Sequence, residues 1–272
     1  MSNIIYSVSF PKLGINFKIN PIALDFGVFN IKWYGVIIAL GFLTGFIYVN
    51  FRSKKFGINS SDLLDFIIWP TFLGIVFARI YYVIFYPGDF YIKNPEKILM
   101  VNEGGIAIYG AIFGGIVGIL LISKIKKENA LKVLDLLSFG VIIGQCIGRW
   151  GNFVNQEAFG SKTDFILGMA SESTNFQTVH PCFLYESVGC FFIFLIMHFY
   201  SSNEKVRRRL GNIFALYLFL YSFLRFFIES LRTDSLMLPF TFIKISQLIS
   251  ILGVLIAIII FYKNKENKHS PA

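Results

Sequence analysis

Charged side chains are scarce in this sequence of 272 residues: they make up 15% of it, while 55% of the residues are hydrophobic. A soluble domain carries about 25% charged residues, so the composition excludes an ordinary soluble protein. Cysteine is also rare, and the three present, Cys146, Cys182 and Cys190, form no CxxC pair. This predicts neither a disulfide framework nor a zinc site. Residues 1–30 lack a basic start followed by an apolar run, so no cleaved secretory signal is expected.

Long apolar blocks are what the sequence has in abundance. Crossing a hydrocarbon core of ~30 Å takes roughly 20 residues of helix. Blocks near that length lie at about residues 31–51, 63–86, 104–123, 133–150, 183–200, 211–228 and 242–262. They predict an all-α polytopic membrane protein with about seven transmembrane helices, folded as a single domain over residues 1–272. Its parts are an arm over 1–30, a helix bundle over 31–262 and a tail over 263–272.

The basic residues between the blocks predict the orientation of the helices. Fourteen Lys and Arg follow the first, third, fifth and seventh blocks, whereas eight lie in the longer segments on the opposite side. Because cytoplasmic loops carry the excess of basic residues, the N-terminus is predicted outside and the C-terminus in the cytoplasm. The net charge of +9 therefore indicates an anionic lipid surface as partner and no nucleic acid. The alternating arm predicts either a short pair of surface strands or a helix lying on the membrane, with further small elements in the outer loops.

Three arginines lie within or at the edge of the apolar blocks, and each is in the part predicted to face outward: Arg79, Arg149 and Arg225. An arginine at mid-membrane costs at least ~2.5–3.5 kcal/mol, so each is a functional candidate. The alternative for each of them, and above all for Arg79, is that it reaches the outer interface or pairs with a nearby carboxylate. Other polar residues converge at the same predicted depth: Tyr34, Tyr109, Asn152, Asn155, Glu157, His180, Tyr185, Glu186 and Glu229.

Arginines grouped at this depth favour an anionic ligand. A guanidinium group binds phosphate through two parallel hydrogen bonds and stays charged at any relevant pH. Glu229 lies four residues after Arg225 and is predicted to pair with it on one helix face. The sequence thus predicts a pocket for an anionic phospholipid near the outer leaflet, where the same groups could stabilise a departing phosphate.

Two other patterns receive plainer interpretations. Gly110, Gly114 and Gly118 recur every four residues, which predicts close helix packing through small residues. His180 and Cys182 are spaced two apart and invite a base–nucleophile hypothesis, but no third residue that would orient the pair is in view.

Several motifs resemble those of the bacterial prolipoprotein diacylglyceryl transferases. The longest is Gly148-Arg149-Trp150-Gly151-Asn152-Phe153-Val154-Asn155-Gln156-Glu157-Ala158-Phe159-Gly160. Shorter matches spread over most of the chain: Trp33-Tyr34-Gly35, Ala78-Arg79-Ile80-Tyr81-Tyr82, His180-Pro181 with Leu184-Tyr185-Glu186, and Leu224-Arg225-Phe226-Phe227-Ile228-Glu229 followed by Arg232.

This resemblance implies an enzyme of the bacterial cytoplasmic membrane, multi-pass, with its active site toward the outer leaflet. It would transfer the sn-1,2-diacylglyceryl group of phosphatidylglycerol to the lipobox cysteine thiol of a preprolipoprotein, form a thioether and release glycerol phosphate, with no cofactor and no metal. The implied catalytic residues are Arg149, Arg225, Tyr109, Glu157 and Glu229. The implied phosphatidylglycerol-binding residues are Arg149, Asn152, Arg225, Tyr34, Arg79, Gly160 and Asn155.

The chain departs from the family pattern at Tyr109, where the family commonly has a histidine that would take the thiol proton. The proton could go instead to Glu157, to Glu229 or to the phosphate, or Tyr109 could only position lipid. Cys182 stands where the family more often has serine, which weakens it further as a nucleophile. A rival function from another class is a transporter or flippase for an anionic lipid or solute. Such proteins often show paired repeats and polar groups at mid-membrane, whereas here the polar layer is one-sided and no repeat is evident.

Overall fold

The computed structural model describes residues 5–27, 30–100, 104–235, 237 and 243–266. Within these residues most of the chain is helical, and seven helices are long and apolar enough to cross a membrane. The helices are α1 (Trp33–Ser53), α2 (Ser60–Ile84), α3 (Phe90–Lys93), α4 (Ile108–Lys126), α5 (Ala130–Asn155), α6 (Cys182–Tyr200), α7 (Glu204–Arg207), α8 (Asn212–Leu231) and α9 (Ile245–Glu266). The spanning helices are all of these except the one-turn helices α3 and α7. The predicted seven-helix membrane fold is confirmed, whereas its orientation stays a prediction.

Helix α5 is longer than the sequence predicts. The apolar block ends at about Trp150, but the helix continues to Asn155. It stops where Gln156 and Ala158 adopt positive φ angles of 53° and 58°, a conformation that interrupts a right-handed helix. As a result Asn152 lies on the helix, three residues after Arg149 and on the same face.

The arm is built from strands, so the first of the two alternatives for residues 1–30 is confirmed over its described part. The strands are β1 (Tyr6–Phe10), β2 (Ile15–Ile19), β3 (Ile22–Asp25) and β4 (Asn30–Lys32), and the loop after α5 adds β5 (Ala170–Ser171). One antiparallel sheet has the order β2-β1-β5, and β3 pairs with β4 in a second sheet. Val8 in the middle of β1 lies opposite both Phe17 and Ser171.

The contacts within the chain divide it into two compact units, each described by itself below. The first unit comprises the described residues of Met1–Val49 and Leu137–Ala272, and the second comprises those of Asn50–Leu136. The interpretation of the chain as a single domain stays a prediction.

In the second unit, α2 and α4 pack closely through the glycines of α4. A Cβ atom at Gly110 would lie 2.8 Å from the Cα of Ala78, and one at Gly118 would lie 2.6 Å from the Cα of Pro70. Real Cβ atoms do not approach backbone this closely, so only glycine permits this approach. The predicted packing role of the Gly110, Gly114 and Gly118 repeat is confirmed.

In the first unit, a small apolar core joins the arm to the ends of two helices. Val8 of β1, Phe153 of α5, Met169 of the loop and Phe183 of α6 are all buried in it. The rings of Phe153 and Phe183 stack with centroids 4.6 Å apart. This core therefore fixes the end of α5 against the start of α6, where the polar residues of the candidate site lie.

Candidate functional site

Two arginines from different helices bind the same carboxylate in the first unit. Nη2 of Arg149 on α5 donates to Oε1 of Glu186 on α6 at 2.7 Å. Nη1 of Arg225 on α8 donates to Oε2 of Glu186 at 2.9 Å. The Glu186 side chain is 2% exposed, whereas those of Arg149 and Arg225 are 21% and 15% exposed. The carboxylate is thus enclosed, while both arginine side chains remain partly exposed.

Arg225 also pairs with the carboxylate four residues along its own helix. Its Nη2 lies 2.5 Å from Oε2 of Glu229, which confirms the pairing predicted from their spacing. This contact is an ion pair without hydrogen-bond alignment, because Oε2 of Glu229 is buried and has no hydrogen-bond donor among the described residues. The cluster of Arg149, Arg225, Glu186 and Glu229 is formally neutral, with Glu186 more firmly held than Glu229.

A third donor reaches Glu186 from α8. The Tyr221 hydroxyl donates to Oε1 of Glu186 at 2.9 Å. Its ring stacks on that of Tyr217, with centroids 5.7 Å apart and planes inclined by 8°. The Tyr217 hydroxyl in turn exchanges hydrogen bonds with the amide of Gln145 on α5. A chain of aromatic and polar contacts therefore holds Tyr221 where it meets Glu186.

The polar end of α5 extends the cluster toward solvent. Nη1 of Arg149 donates to Oδ1 of Asn152 at 3.2 Å, and Nδ2 of Asn152 donates to Oε1 of Glu157 at 2.9 Å. Asn155 donates to the same Glu157 oxygen at 3.5 Å, at the limit of a hydrogen bond. Glu157 is exposed. The structure thus brings together Arg149, Asn152, Asn155 and Glu157 as the long motif predicts.

Tyr34 and Gly160 occupy two flanks of this region. The ring of Tyr34, at the start of α1, packs so closely on Gly151 that a Cβ there would lie 2.9 Å from Cδ2 of the ring. Gly160 is enclosed by the backbone of α8's end and by the segment before α6, since a Cβ would lie 3.0 Å from the Leu231 carbonyl and 2.8 Å from Cβ of His180. Close packing thus accounts for glycine at position 160, and its contact with a substrate stays a prediction.

The segment that follows α8 carries a further ion pair. Nε and Nη2 of Arg232 donate to the two oxygens of Asp234 at 2.9 and 2.7 Å. Partial burial works against ionisation of Asp234, but these hydrogen bonds and the charge of Arg232 lower the pKa of its carboxyl group. Arg232 also pairs through its backbone with Gly160, so this segment closes the turn beside the site.

Arg79 belongs to the second unit and has a different environment. Its five N–H donors are all used by backbone carbonyl oxygens, at distances of 2.6 to 3.3 Å. The acceptors are the carbonyls of Lys97, Ile98, Met100, Gly104 and Gly105. The side chain is 7% exposed, and its guanidinium group lies over the rings of Tyr82 and Tyr91. This geometry favours a role in holding the loop before α4, and the predicted phosphate contact of Arg79 stays a prediction.

Tyr109, the other predicted site residue in the second unit, lies in the first turn of α4. It is partly buried, and its ring meets that of Tyr81 edge to face with centroids 6.4 Å apart. Within the described part of the chain its hydroxyl forms no hydrogen bond, which leaves the oxygen available to a ligand. Its catalytic role stays a prediction.

The His180–Cys182 hypothesis finds no geometric basis. Nδ1 of His180 pairs with the Tyr185 hydroxyl at 3.2 Å, and Cys182 is 2% exposed with its sulfur packed against Gly160. In the described parts of the chain, no three His, Cys, Asp or Glu side chains are grouped so as to hold a metal ion. The side chains that form the cluster around Glu186 carry guanidinium, carboxylate, amide and phenol groups.

Two residues of the cluster are absent from the predicted site. Glu186 belongs to the predicted polar layer but not to the predicted catalytic set, and Tyr221 is in neither. A signal for Tyr221 exists, because it precedes Arg225 by four residues and so shares its helix face. No comparable signal identifies Glu186 as the shared partner, since its contacts with Arg149 and Arg225 span 37 and 39 positions of sequence.

Comparisons with known proteins agree on one family. Residues 21–263 match the family model described as prolipoprotein diacylglyceryl transferase. The chain is similar to proteins named phosphatidylglycerol–prolipoprotein diacylglyceryl transferase from several bacteria. A Finegoldia magna protein is 40% identical over 241 residues, covering 89% of this chain and 94% of the relative. A Staphylococcus aureus strain MSSA476 protein is 39% identical over 94% of both chains, and one from Staphylococcus xylosus is 40% identical over 93% of this chain and 92% of the relative.

Proposed function

The chain belongs to the prolipoprotein diacylglyceryl transferase family, and from this premise we propose that it lipidates preprolipoproteins, the first step of lipoprotein maturation. The diacylglyceryl group of phosphatidylglycerol is transferred to the thiol of the lipobox cysteine, and glycerol phosphate is released. The relatives carry both substrates in their names. The family match over residues 21–263 spans the positions of the cluster built around Glu186.

One observation carries the chemical part of the proposal: two partly exposed arginines from α5 and α8 converge on one point. Arg149 donates to Asn152 and Glu186, and its side chain is still 21% exposed, so a ligand can reach it. A phosphodiester oxygen is a matching acceptor, because guanidinium groups bind phosphate through two parallel hydrogen bonds. We assign Arg149 and Arg225 the role of clamping the phosphate of phosphatidylglycerol.

The reaction needs charge stabilisation at that phosphate. The cysteine sulfur, as thiolate, attacks the glyceryl carbon that bears the phosphate, a C–S bond forms and the C–O bond to the phosphate breaks. The electron pair of the broken bond stays on the departing oxygen, so the phosphate changes from a singly charged diester toward a doubly charged monoester. Donors that bind this developing charge more strongly than the starting diester lower the barrier to transfer.

The remaining predicted residues receive supporting roles in the same proposal. Asn152 and Asn155 orient the headgroup at the end of α5, and Tyr34 and Gly160 line the pocket. The contacts of Tyr109 and Arg79 with phosphatidylglycerol stay predictions from the sequence. Glu157 and Glu229 are the carboxylates that could accept the thiol proton, which finally leaves on glycerol phosphate. Glu157 is exposed and Glu229 is buried beside Arg225. The direction from which the lipobox cysteine approaches therefore determines which of the two carboxylates takes the thiol proton.

We further propose that the protein lies in the bacterial cytoplasmic membrane, with its N-terminus outside and its site toward the outer leaflet. The distribution of basic residues along the sequence supports this orientation. A preprolipoprotein would then present its signal helix sideways from the lipid, through an opening between helices. The alternative function of a transporter or flippase finds no support, because the family and the named relatives are transferases.

The proposal is tested with the purified full chain in detergent micelles that contain phosphatidylglycerol. A synthetic signal peptide with a lipobox cysteine is added, and the peptide mass is measured. We expect a gain equal to one diacylglyceryl group and the release of glycerol phosphate in equal amount. The control peptide carries serine in place of the cysteine and should stay unmodified. An unmodified cysteine peptide, with folded protein and excess phosphatidylglycerol, would contradict the proposed function.

A further inference from the structure

Glu186 is the residue through which the two arginines of the cluster are connected. It accepts one hydrogen bond from each guanidinium group and a third from the Tyr221 hydroxyl. We propose that Glu186 is a positioning residue that fixes the spacing and direction of Arg149 and Arg225 for the phosphate. This inference rests on the proposed function and adds a residue that acts on the reaction through the two arginines.

The topology of the contacts supports this role. Arg149 lies on α5 and Arg225 on α8, while Glu186 lies on α6 and reaches both. Glu229 cannot do the same, because it is on the helix of Arg225 and pairs with that arginine alone. A pair within one helix, such as Arg225 and Glu229, orients a single side chain. A carboxylate from a third helix, such as Glu186, fixes the distance between the guanidinium groups of two arginines. Among the described residues, Glu186 is the one that both arginines contact.

The burial and anchoring of Glu186 indicate that it stays in place when a ligand arrives. Its side chain is 2% exposed, and both of its oxygens accept hydrogen bonds. A buried carboxylate is tolerated when its charge and its acceptor positions are satisfied, as they are here. The arginines are more exposed than the carboxylate, so a phosphate approaches them on the sides that Glu186 does not occupy.

A fixed spacing matters for the rate because the clamp must meet the phosphate as charge develops on the departing oxygen. Donors that are held in place bind that charge without the cost of reorganising during the reaction. Loss of the carboxylate would leave each arginine free to adopt other rotamers. The expected defect is therefore mainly in kcat, since the transition state depends on the spacing more than the bound diester does.

The test compares Glu186→Gln with Glu186→Asp and with a matched control, Glu204→Gln. Glutamine keeps the shape but replaces one acceptor oxygen by a donor that faces an arginine. Aspartate keeps the charge but is one methylene shorter, so it cannot reach both arginines from the same backbone position. Glu204 is also paired with an arginine, Arg208, but both side chains are largely exposed. Folding is followed by size-exclusion chromatography and thermal unfolding in detergent, and kcat and KM for phosphatidylglycerol are measured on the folded fraction.

For Glu186→Gln we expect kcat/KM to fall about 10- to 100-fold, which corresponds to the loss of one or two charge-assisted hydrogen bonds. Glu186→Asp should be impaired nearly as much, and Glu204→Gln should match the parent protein. Near-parent activity of Glu186→Asp, with Glu186→Gln impaired, would overturn the positioning role because charge alone would then suffice. Parent-like kcat/KM in folded Glu186→Gln would overturn it as well.

If Glu186→Gln does not fold, the kcat/KM of Tyr221→Phe tests the positioning role of Glu186 instead. It removes only the hydroxyl that donates to Oε1 of Glu186. We expect a fall in kcat/KM of about 2- to 10-fold, the range for one neutral hydrogen bond. Parent-like kinetics of Tyr221→Phe would then overturn the proposal. Failure of the proposed function is a separate result, because the parent protein itself would leave the lipobox peptide unmodified.

Discussion

The two units of the molecule each contain arginine within a spanning helix, but they use it in opposite ways. In the unit that contains α2 and α4, Arg79 gives all five donors to backbone carbonyls between Lys97 and Gly105. In the unit that contains α6 and α8, Arg149 and Arg225 share one carboxylate and keep part of their surface exposed. The first arginine has no donor left for a ligand, and the other two do.

Burial of an arginine is therefore a weaker sign of function than whether its N–H donors already have acceptors within the protein. All three cost free energy to place within a spanning helix, and that cost must be offset. At Arg79 it is offset within the protein, by the five backbone carbonyl oxygens that accept its hydrogen bonds. At Arg149 and Arg225 it is offset only in part, and a phosphate would complete the set of partners.

The largest effect that would separate the two kinds of arginine is expected from Arg149→Ala. Removal of this guanidinium takes away donors aimed at the departing phosphate, so kcat should fall at least about 100-fold. The protein should remain inserted and folded, because Glu186 keeps its bonds to Arg225 and Tyr221. The measurement is thioether formation on the lipobox peptide, with Arg208→Ala in the exposed ion pair of α7 as control. Normal thioether formation by Arg149→Ala would rule out the phosphate clamp.

Arg79→Met tests the other side of the comparison and should affect stability first. Five carbonyl oxygens would lose a charged donor, and the loop would be held less firmly. We expect a loss of about 3 kcal/mol in the free energy of unfolding, equal to a few net hydrogen bonds, with activity per folded molecule within about threefold of the parent. Thermal unfolding and limited proteolysis over residues 87–107 measure this, and Lys93→Met in an exposed ion pair is the control.

The opposite result for Arg79 would contradict the distinction between this arginine and the pair Arg149 and Arg225. Parent-like stability combined with lost binding of phosphatidylglycerol would mean that Arg79 contacts the substrate, as the sequence predicts. The carbonyl contacts would then be partners that a phosphate replaces.

Much of this architecture was predictable, because it depends on composition and local spacing. Apolar blocks of about 20 residues identify spanning helices regardless of their neighbours. The pair of Arg225 and Glu229 follows from a separation of four residues on one helix. The strands of the arm follow from alternation over a few residues, although the sequence left a surface helix open as well.

The rest depends on contacts that residue identity does not reveal. Glu186 meets Arg149 and Arg225 only because α5, α6 and α8 pack together, and nothing in their spacing selects this carboxylate over Glu157. The partners of Arg79 are backbone carbonyls, which every residue has, so no sequence pattern marks them. The end of α5 lies at Asn155 because Gln156 and Ala158 take positive φ angles, an uncommon choice for residues other than glycine.

The smallest expected effect concerns a further arginine, Arg232, whose partner is half exposed. The side chain of Asp234 is 49% exposed, and ion pairs of this kind contribute about 1 kcal/mol or less. Because the pKa of Asp234 is lowered in the folded protein, the pair stabilises the fold above the unfolded pKa of about 4 and this contribution disappears as pH falls through the folded value. Thermal unfolding of the parent and of Asp234→Asn should therefore differ slightly at pH 7 and converge as pH falls through the lowered pKa of Asp234. Thioether formation at pH 7 should be nearly unchanged, since the Asp234 side chain bonds to Arg232 and, among the described residues, to no side chain of the Glu186 cluster. A loss of activity in Asp234→Asn comparable to that of Arg149→Ala would instead place Arg232 with the arginines that bind phosphate. A difference in stability that persists at low pH would show that Asp234 acts through packing and not through its charge.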